Sequence, residues 1–315
     1  MNYLPPGAVS RKYIGNEMAT FADSSYDSGS YAASRPTYPR LLYDVVLRFH
    51  KEGQATEDLN RWNRALDLGC GTGQATVQLL ANDDHPGFQT VAAVDPSPNM
   101  IQVAKDSVPE TLKSQVEFRQ SNAEDLSFIE NGTVDLITAG TRLQIVADWM
   151  QFQTKCISAM RALVRLESSV AGTAPGFEAR RDTRMSGSHS TPELTPLLTA
   201  YSQGTDPATS LGPHWESGRK ILDNHFLDVV PPASGWTDLR RVFYTGTHYP
   251  ALPEPPHEDV IIKKSMTWGG GFAGYLSTYS ALHRYQDAFP ADRERADGGY
   301  CDAVSAVVDG ECWKP

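Results

Sequence analysis

Cysteine is scarce in this chain. Cys70, Cys156, Cys301 and Cys312 are the four among 315 residues, and they show neither C-x-x-C spacing nor the density of a disulfide framework. A disulfide-stapled scaffold is excluded and a reducing, cytoplasmic setting is expected. Long apolar runs are absent as well: none approaches the ~20 residues that a bilayer-spanning helix needs. The opening MNYLPPGAVSRKY also lacks the apolar centre of a signal peptide. Neither a membrane-embedded nor a secreted protein is expected. Positive charge is in short supply, with 28 Lys and Arg against 38 Asp and Glu for a net charge of −10. Nucleic-acid binders usually carry a basic face that neutralises phosphates, so nucleic acid is not an expected partner. The eight histidines are scattered without the close pairing of a zinc site, and GSHS at 187–190 is not a G-x-S-x-G elbow. No metal is assigned. No internal repeat is apparent.

What is present is an ordinary globular composition, 40% hydrophobic and 21% charged, sufficient to bury the core of one large α/β domain or of a domain with a smaller addition. The most informative stretch is ALDLGCGTGQ, from Ala65 to Gln74, followed by the apolar run VAAVD that ends on Asp95. Three glycines spaced by two, Gly69, Gly71 and Gly73, let the backbone turn sharply after a strand and pass close to a ligand that side chains would block. Asp95 falls about 20 residues further on, at the end of the next expected strand, where a carboxylate can accept hydrogen bonds from a ribose diol. The sixth position of a G-x-G-x-x-G fingerprint is Gln74 or Thr76, not glycine, which disfavours a dinucleotide pyrophosphate turn.

The segments around this motif alternate in period. Residues 1–37 are polar with several prolines and read as a flexible start and flap. From Tyr38, PRLLYDVVLRFH places Leu42, Val45, Val46 and Phe49 at helical spacing. Strands are expected at Ala65–Leu68, Thr90–Val94, Val116–Arg119 and Val134–Ala139, with helices from about Gly73 to Leu80 and from about Pro98 to Lys105. Strands separated by helices imply a parallel sheet with helices on both faces and a ligand site beyond the strands' carboxyl ends. The core is expected over 38–190, with 172–190 a loop or poorly ordered insertion. Residues 191–290, with aromatics among turns, read as a cap with the remaining sheet elements, and 291–315 as a tail.

An acid before the glycines, Asp67, the pattern D-x-G-x-G-x-G and the acid after the second strand together resemble the S-adenosylmethionine site of class I methyltransferases. The resemblance implies a Rossmann-like α/β methyltransferase sheet with S-adenosylmethionine as cofactor. It assigns Gly69, Gly71, Gly73, Asp95, Asn122 and Ala123 to the cofactor site and gives Asp67 a supporting role under the glycine loop. More narrowly, FADSSYDSGSYAASRPTYP, residues 204–219 and residues 265–290 are similar to the entry and cap segments of the fungal trans-aconitate methyltransferase-like group. By that analogy Tyr31 and Arg35 close over the methionine end of the cofactor or over the acceptor. Without that analogy Arg35, before Pro36, reads simply as a solvated side chain in an extended segment.

Two departures from that group stand out. Gln144 and Ile145 occupy the places of a His-Trp pair that lines the group's acceptor pocket, and Arg165-Leu166-Glu167-Ser168 replaces an R-P-G-G turn ahead of the fifth strand. His214, beside Trp215 and Glu216, is either a base over the acceptor or a structural histidine. Arg142 and Arg219 are either bidentate holders of an acidic substrate or ordinary surface arginines. The expectation is a methyltransferase acting on a small molecule, an organic acid or a specialised metabolite. The alternatives are a methyltransferase-fold cyclase, isomerase or lyase that no longer methylates, and an inactive partner subunit.

Overall fold

A computed structural model describes residues 38–52, 61–81, 86–123, 125–139, 163–165, 177–180, 194–216, 264–267 and 273–294, together with Gly29, Arg219, Leu227 and Val242. The chain divides into two compact units, the first comprising Met1–Ser28, Thr37–Glu167 and Gly218–Arg241, the second Gly29–Pro36, Ser168–Ser217 and Val242–Pro315.

The first unit opens with helix α1 (Arg40–Glu52), whose apolar stripe buries Leu42, Tyr43, Val46, Leu47 and His50. Val45 and Phe49, which helical spacing also marks, are half-buried at the edge of that stripe. His50 Nε2 donates to the Arg61 carbonyl at 2.7 Å, and burial holds its pKa below the ordinary histidine value.

Five parallel strands follow: β1 (Arg64–Leu68), β2 (Thr90–Asp95), β3 (Val116–Gln120), β4 (Leu136–Ala139) and β5 (Leu163–Arg165), in the order β3-β2-β1-β4-β5. The chain builds outward from β1 to β3, then returns to the other side of β1 for β4. The order therefore reverses between β1 and β4, and in open α/β sheets a ligand crevice forms at that point beyond the carboxyl ends. Central strands β1, β2 and β4 are nearly continuously buried, whereas β3 (VEFRQ) alternates and carries Glu117 and Arg119, as an edge strand should. One face packs Leu66, Leu68, Ala92, Val94, Ile137 and Ala139 against Leu126, Ile129 and Val134 from the β3–β4 connection. Each fully buried Leu, Ile or Val side chain there is worth about 1.5–3 kcal/mol of transfer free energy.

Helix α2 (Pro98–Ser107) covers the other face, with Ile101 packing against Ala93 and Cys70. Its start has a local cause: Ser97 is the N-cap, its Oγ accepting the Met100 N–H at 3.3 Å, and Pro98 follows in the first turn.

Three sequence expectations change. The helix expected over Gly73–Leu80 is only a 3-10 turn at Thr76–Leu79. Gly73 sits at φ +79°, outside helical conformation, and Leu80 is drawn into a parallel bridge with Phe88, so too few residues remain between them for an α-helix. Arg165, read as part of a turn ahead of the fifth strand, lies within β5 itself and pairs with Ala139. In the segment read as a loop, β6 (Phe177–Arg180) pairs in parallel with β7 (Lys264–Thr267) as a separate two-stranded sheet. The alternation of Phe177, Glu178, Ala179 and Arg180 is a short strand signal that the surrounding Gly and Ser residues mask.

The second unit also holds α3 (Leu194–Gln203), α4 (Ala273–Ser277) and α5 (Ser280–Ala288). Its aromatics pack together: Trp215 lies 5.3 Å from Tyr279, centroid to centroid, and Tyr279 lies 5.4 Å from Tyr275. Trp215 Nε1 donates to the Ser202 carbonyl and Tyr285 OH to that of Ala208, so the polar tips are satisfied within the same cluster.

Candidate functional site

The candidate site forms at the carboxyl ends of β1, β2 and β3. As β1 ends, the chain turns through Gly69, Gly71 and Gly73, all at positive φ. The turn is held down by Cys70 N–H donating to the Val94 carbonyl at 2.9 Å and Gly73 N–H donating to that of Cys70 at 3.0 Å. Gly71, at φ +55°, has open space where a side chain would stand, with no heavy atom within 4 Å of a Cβ placed there. Its backbone is thus accessible to a ligand. Gly73 serves a different purpose: a Cβ there would lie 3.1 Å from Ala104 Cβ and 3.2 Å from Phe118 Cζ, so glycine permits the close approach of the loop to α2 and β3.

Two buried acids flank this loop, Asp95 bonded to a residue within it and Asp67 to a residue just after it. Asp95 accepts the Gly71 N–H on Oδ2 at 3.0 Å and the Ser97 N–H on Oδ1 at 2.9 Å, joining the glycine loop to the start of α2 through one carboxylate. Asp67 accepts the Thr76 hydroxyl on Oδ2 at 2.7 Å and the Thr138 hydroxyl on Oδ1 at 3.0 Å. Burial pushes the Asp67 carboxyl up to about 6, with the two hydroxyl bonds opposing the rise and nearby Asp95 adding to it. The hydroxyl partners of Asp67, Thr76 and Thr138, are residues that sequence reasoning missed. Thr138 had a signal: it is the one hydroxyl in the otherwise apolar β4 sequence LITA, fully buried, and a buried hydroxyl needs a partner.

The exit from β3 comes to the same edge. Ser121 N–H donates to the Asp95 carbonyl at 3.2 Å, and Asn122 accepts the Asp125 N–H at 3.1 Å in the turn that follows. Asn122 is exposed and Ala123 half-buried against the sheet core. The glycines, Asp95, Asn122 and Ala123 are thus gathered at one end of the sheet.

Other singled-out residues fall elsewhere. Tyr31, Arg35, Arg142, Gln144 and Ile145 lie outside the described residues. His214 is in the second unit, its Nε2 donating to the Pro207 carbonyl at 2.9 Å and its ring edge-on to Tyr285. Glu216 accepts the Ser280 hydroxyl at 2.9 Å and lies 4.0 Å from Arg284. Arg219 is buried, 7% exposed, and so is not a surface arginine. Among the described residues, no cluster of three or more His, Cys, Asp or Glu could hold a metal ion, and no helix is long and apolar enough to cross a membrane.

Comparison with known proteins agrees with this geometry. Residues 65–165, about a third of the chain, match the methyltransferase domain family. Over 119 residues the chain is 30% identical to Probable S-adenosylmethionine-dependent methyltransferase CRG1 of Saccharomyces cerevisiae, covering 38% of this chain and 36% of that protein. Over 124 residues it is 32% identical to demethylmenaquinone methyltransferase of Bacillus cereus, covering 38% of this chain and 51% of that protein. The chain therefore spans between about a third and about half of the length of these relatives. Among solved structures, the YcgJ protein of Bacillus subtilis is matched over 44% of this chain and 53% of that one, at 18% identity and a TM-score of 0.31. The matched region runs from the first residue of the β1 motif to the last residue of β5. From Ala65 to Arg165 the chain is thus similar in sequence to the methyltransferase domain family and to S-adenosylmethionine-dependent methyltransferases.

Proposed function

We propose that this protein transfers a methyl group from S-adenosylmethionine to a small-molecule acceptor, an organic acid or a specialised metabolite. The observation that carries the reading is the hydrogen bond from Gly71 to Asp95, which fixes an open-faced glycine loop beside a buried carboxylate at the ligand end of the sheet. In this reading Gly69, Gly71 and Gly73 pass their backbone along the cofactor. Asp95, at the end of β2 beside the loop, receives the ribose diol, its carboxylate accepting the hydroxyl protons. Asn122 and Ala123 border the adenine, and Asp67 holds the loop from beneath. Bound S-adenosylmethionine supplies an electrophilic methyl carbon on a positively charged sulfur.

Methyl transfer is an in-line displacement, so the protein's part is to orient the acceptor, exclude water and, where needed, take a proton. A small acceptor is supported by the net charge of −10, which disfavours a phosphate backbone. An organic acid is supported by the similarity of residues 21–39, 204–219 and 265–290 to the trans-aconitate methyltransferase-like group.

The test is to incubate the protein with S-adenosylmethionine carrying a labelled methyl group and a panel of small carboxylic acids. Label in an extracted product, with S-adenosylhomocysteine released in equal amount, is the expected result. An acceptor rearranged without label or S-adenosylhomocysteine would overturn the reading in favour of a non-methylating enzyme.

A further inference from the structure

The glycine loop is fastened from two sides. On the β2 side, Asp95 holds Gly71. On the other side, the fastening crosses the seam between β1 and β4, where the strand order reverses: Asp67 and Thr138 are register partners on these strands, and the Thr138 hydroxyl donates to Asp67 Oδ1 at 3.0 Å. The same carboxylate takes the Thr76 hydroxyl on its second oxygen, and Thr76 begins the 3-10 turn that leaves the loop. Thr138 is wholly buried, and its one proton is better placed for the carboxylate than for the Leu66 carbonyl at 3.5 Å.

We infer that Thr138 is a positioning residue for the cofactor: through the Asp67 carboxylate it sets the seam between β1 and β4 and the orientation of the glycine loop. This rests on the proposed function of that loop. Thr138 lies beneath the site and touches nothing that would react.

The chemistry makes the role separable from ordinary packing. Ionised Asp67 accepts both hydroxyls at once. Protonated Asp67 has a proton of its own to place, so one of the two hydroxyl bonds must reverse, and the loop's support changes with pH. Removing one donor disfavours the ionised form and moves that change to higher pH. Among the described residues, Tyr43 on α1, which burial keeps neutral, and Asp95 at the end of β2 are the titratable groups facing Asp67. A mutation that only loosened packing would weaken binding without moving its pH dependence.

The experiment is calorimetric titration with S-adenosylhomocysteine from pH about 5 to about 8, for the wild type and for Thr138→Val, which keeps the shape and removes the hydroxyl. Thr138→Ser, which restores a hydroxyl, and Asp67→Asn, which cannot ionise, complete the set. Expected at pH 7 is an affinity about fivefold weaker in Thr138→Val, with the pH at which affinity falls displaced upward. Thr138→Ser brings both back toward wild type, and Asp67→Asn flattens the profile. Equal affinity and an equal pH midpoint in Thr138→Val would overturn the inference alone, as would failure of Thr138→Ser to restore them. A wild type that binds no S-adenosylhomocysteine at any pH would overturn the cofactor reading and the inference with it.

Discussion

Asp95 and Gly71, 24 residues apart in sequence, meet at 3.0 Å across the carboxyl edge of the sheet, side-chain oxygen to backbone N–H. The glycine turn therefore does not stand on its own conformation. It is shaped by an acid from the neighbouring strand, which also ties down Ser97 at the start of α2.

Replacing Asp95 with Asn leaves an amide that can present its oxygen to only one of the two N–H groups while its own NH2 faces the other. Losing a hydrogen bond to a charged group costs about 1.5–3 kcal/mol, so S-adenosylmethionine should bind roughly tenfold to somewhat over a hundredfold more weakly. Equilibrium titration of the variant checks this, and unchanged affinity would remove Asp95 from the site.

Gly71 and Gly73 should respond differently to the same substitution. Gly71→Ala adds a methyl group into open space and costs about 1–2 kcal/mol for positive φ, with the larger effect on cofactor affinity. Gly73→Ala adds contacts of 3.1 Å and 3.2 Å with Ala104 and Phe118, and overpacking brings the cost to about 2–4 kcal/mol. Chemical denaturation should therefore rank Gly73→Ala below Gly71→Ala in stability.

The raised Asp67 carboxyl predicts a pH dependence of definite sign. Folded protein holds this proton more tightly than the unfolded chain, so the contribution is complete below the ordinary value of 3.8 and is lost as pH climbs through about 6. Relative to Asp67→Asn, the wild type should gain on the order of 2 kcal/mol as pH falls from about 7 to about 4. Urea denaturation of both proteins across that window measures the difference.

Ser97→Ala removes the α2 N-cap and should cost about 1 kcal/mol of stability. The backbone N–H of residue 97 still reaches Asp95, so cofactor affinity should stay within about twofold of wild type. Parallel melting and titration experiments separate the two effects.

Much of this was legible from residues alone. The glycines at 69, 71 and 73 and the apolar run ending at Asp95 announce a strand, a close-approach loop and an acid at the next strand's end, and all stand where expected. Central strands read clearly because burial on both faces demands unbroken apolar runs. The 3-10 turn at Thr76–Leu79 was hidden because Gly73 and the Leu80–Phe88 bridge, not local propensity, decide where it starts and stops. Thr138 was hidden for another reason: its partner Asp67 is a neighbour only once β4 has crossed back beside β1.

In the proposed function the loop from Gly69 to Gly73, backed by Asp95, binds S-adenosylmethionine. Calorimetric titration of the purified chain with S-adenosylmethionine and S-adenosylhomocysteine tests it most directly. One site should take both ligands with micromolar dissociation constants, about 8 kcal/mol of binding free energy, weakened together by Asp95→Asn. No heat of binding for either ligand, or affinities indifferent to Asp95→Asn, would contradict it.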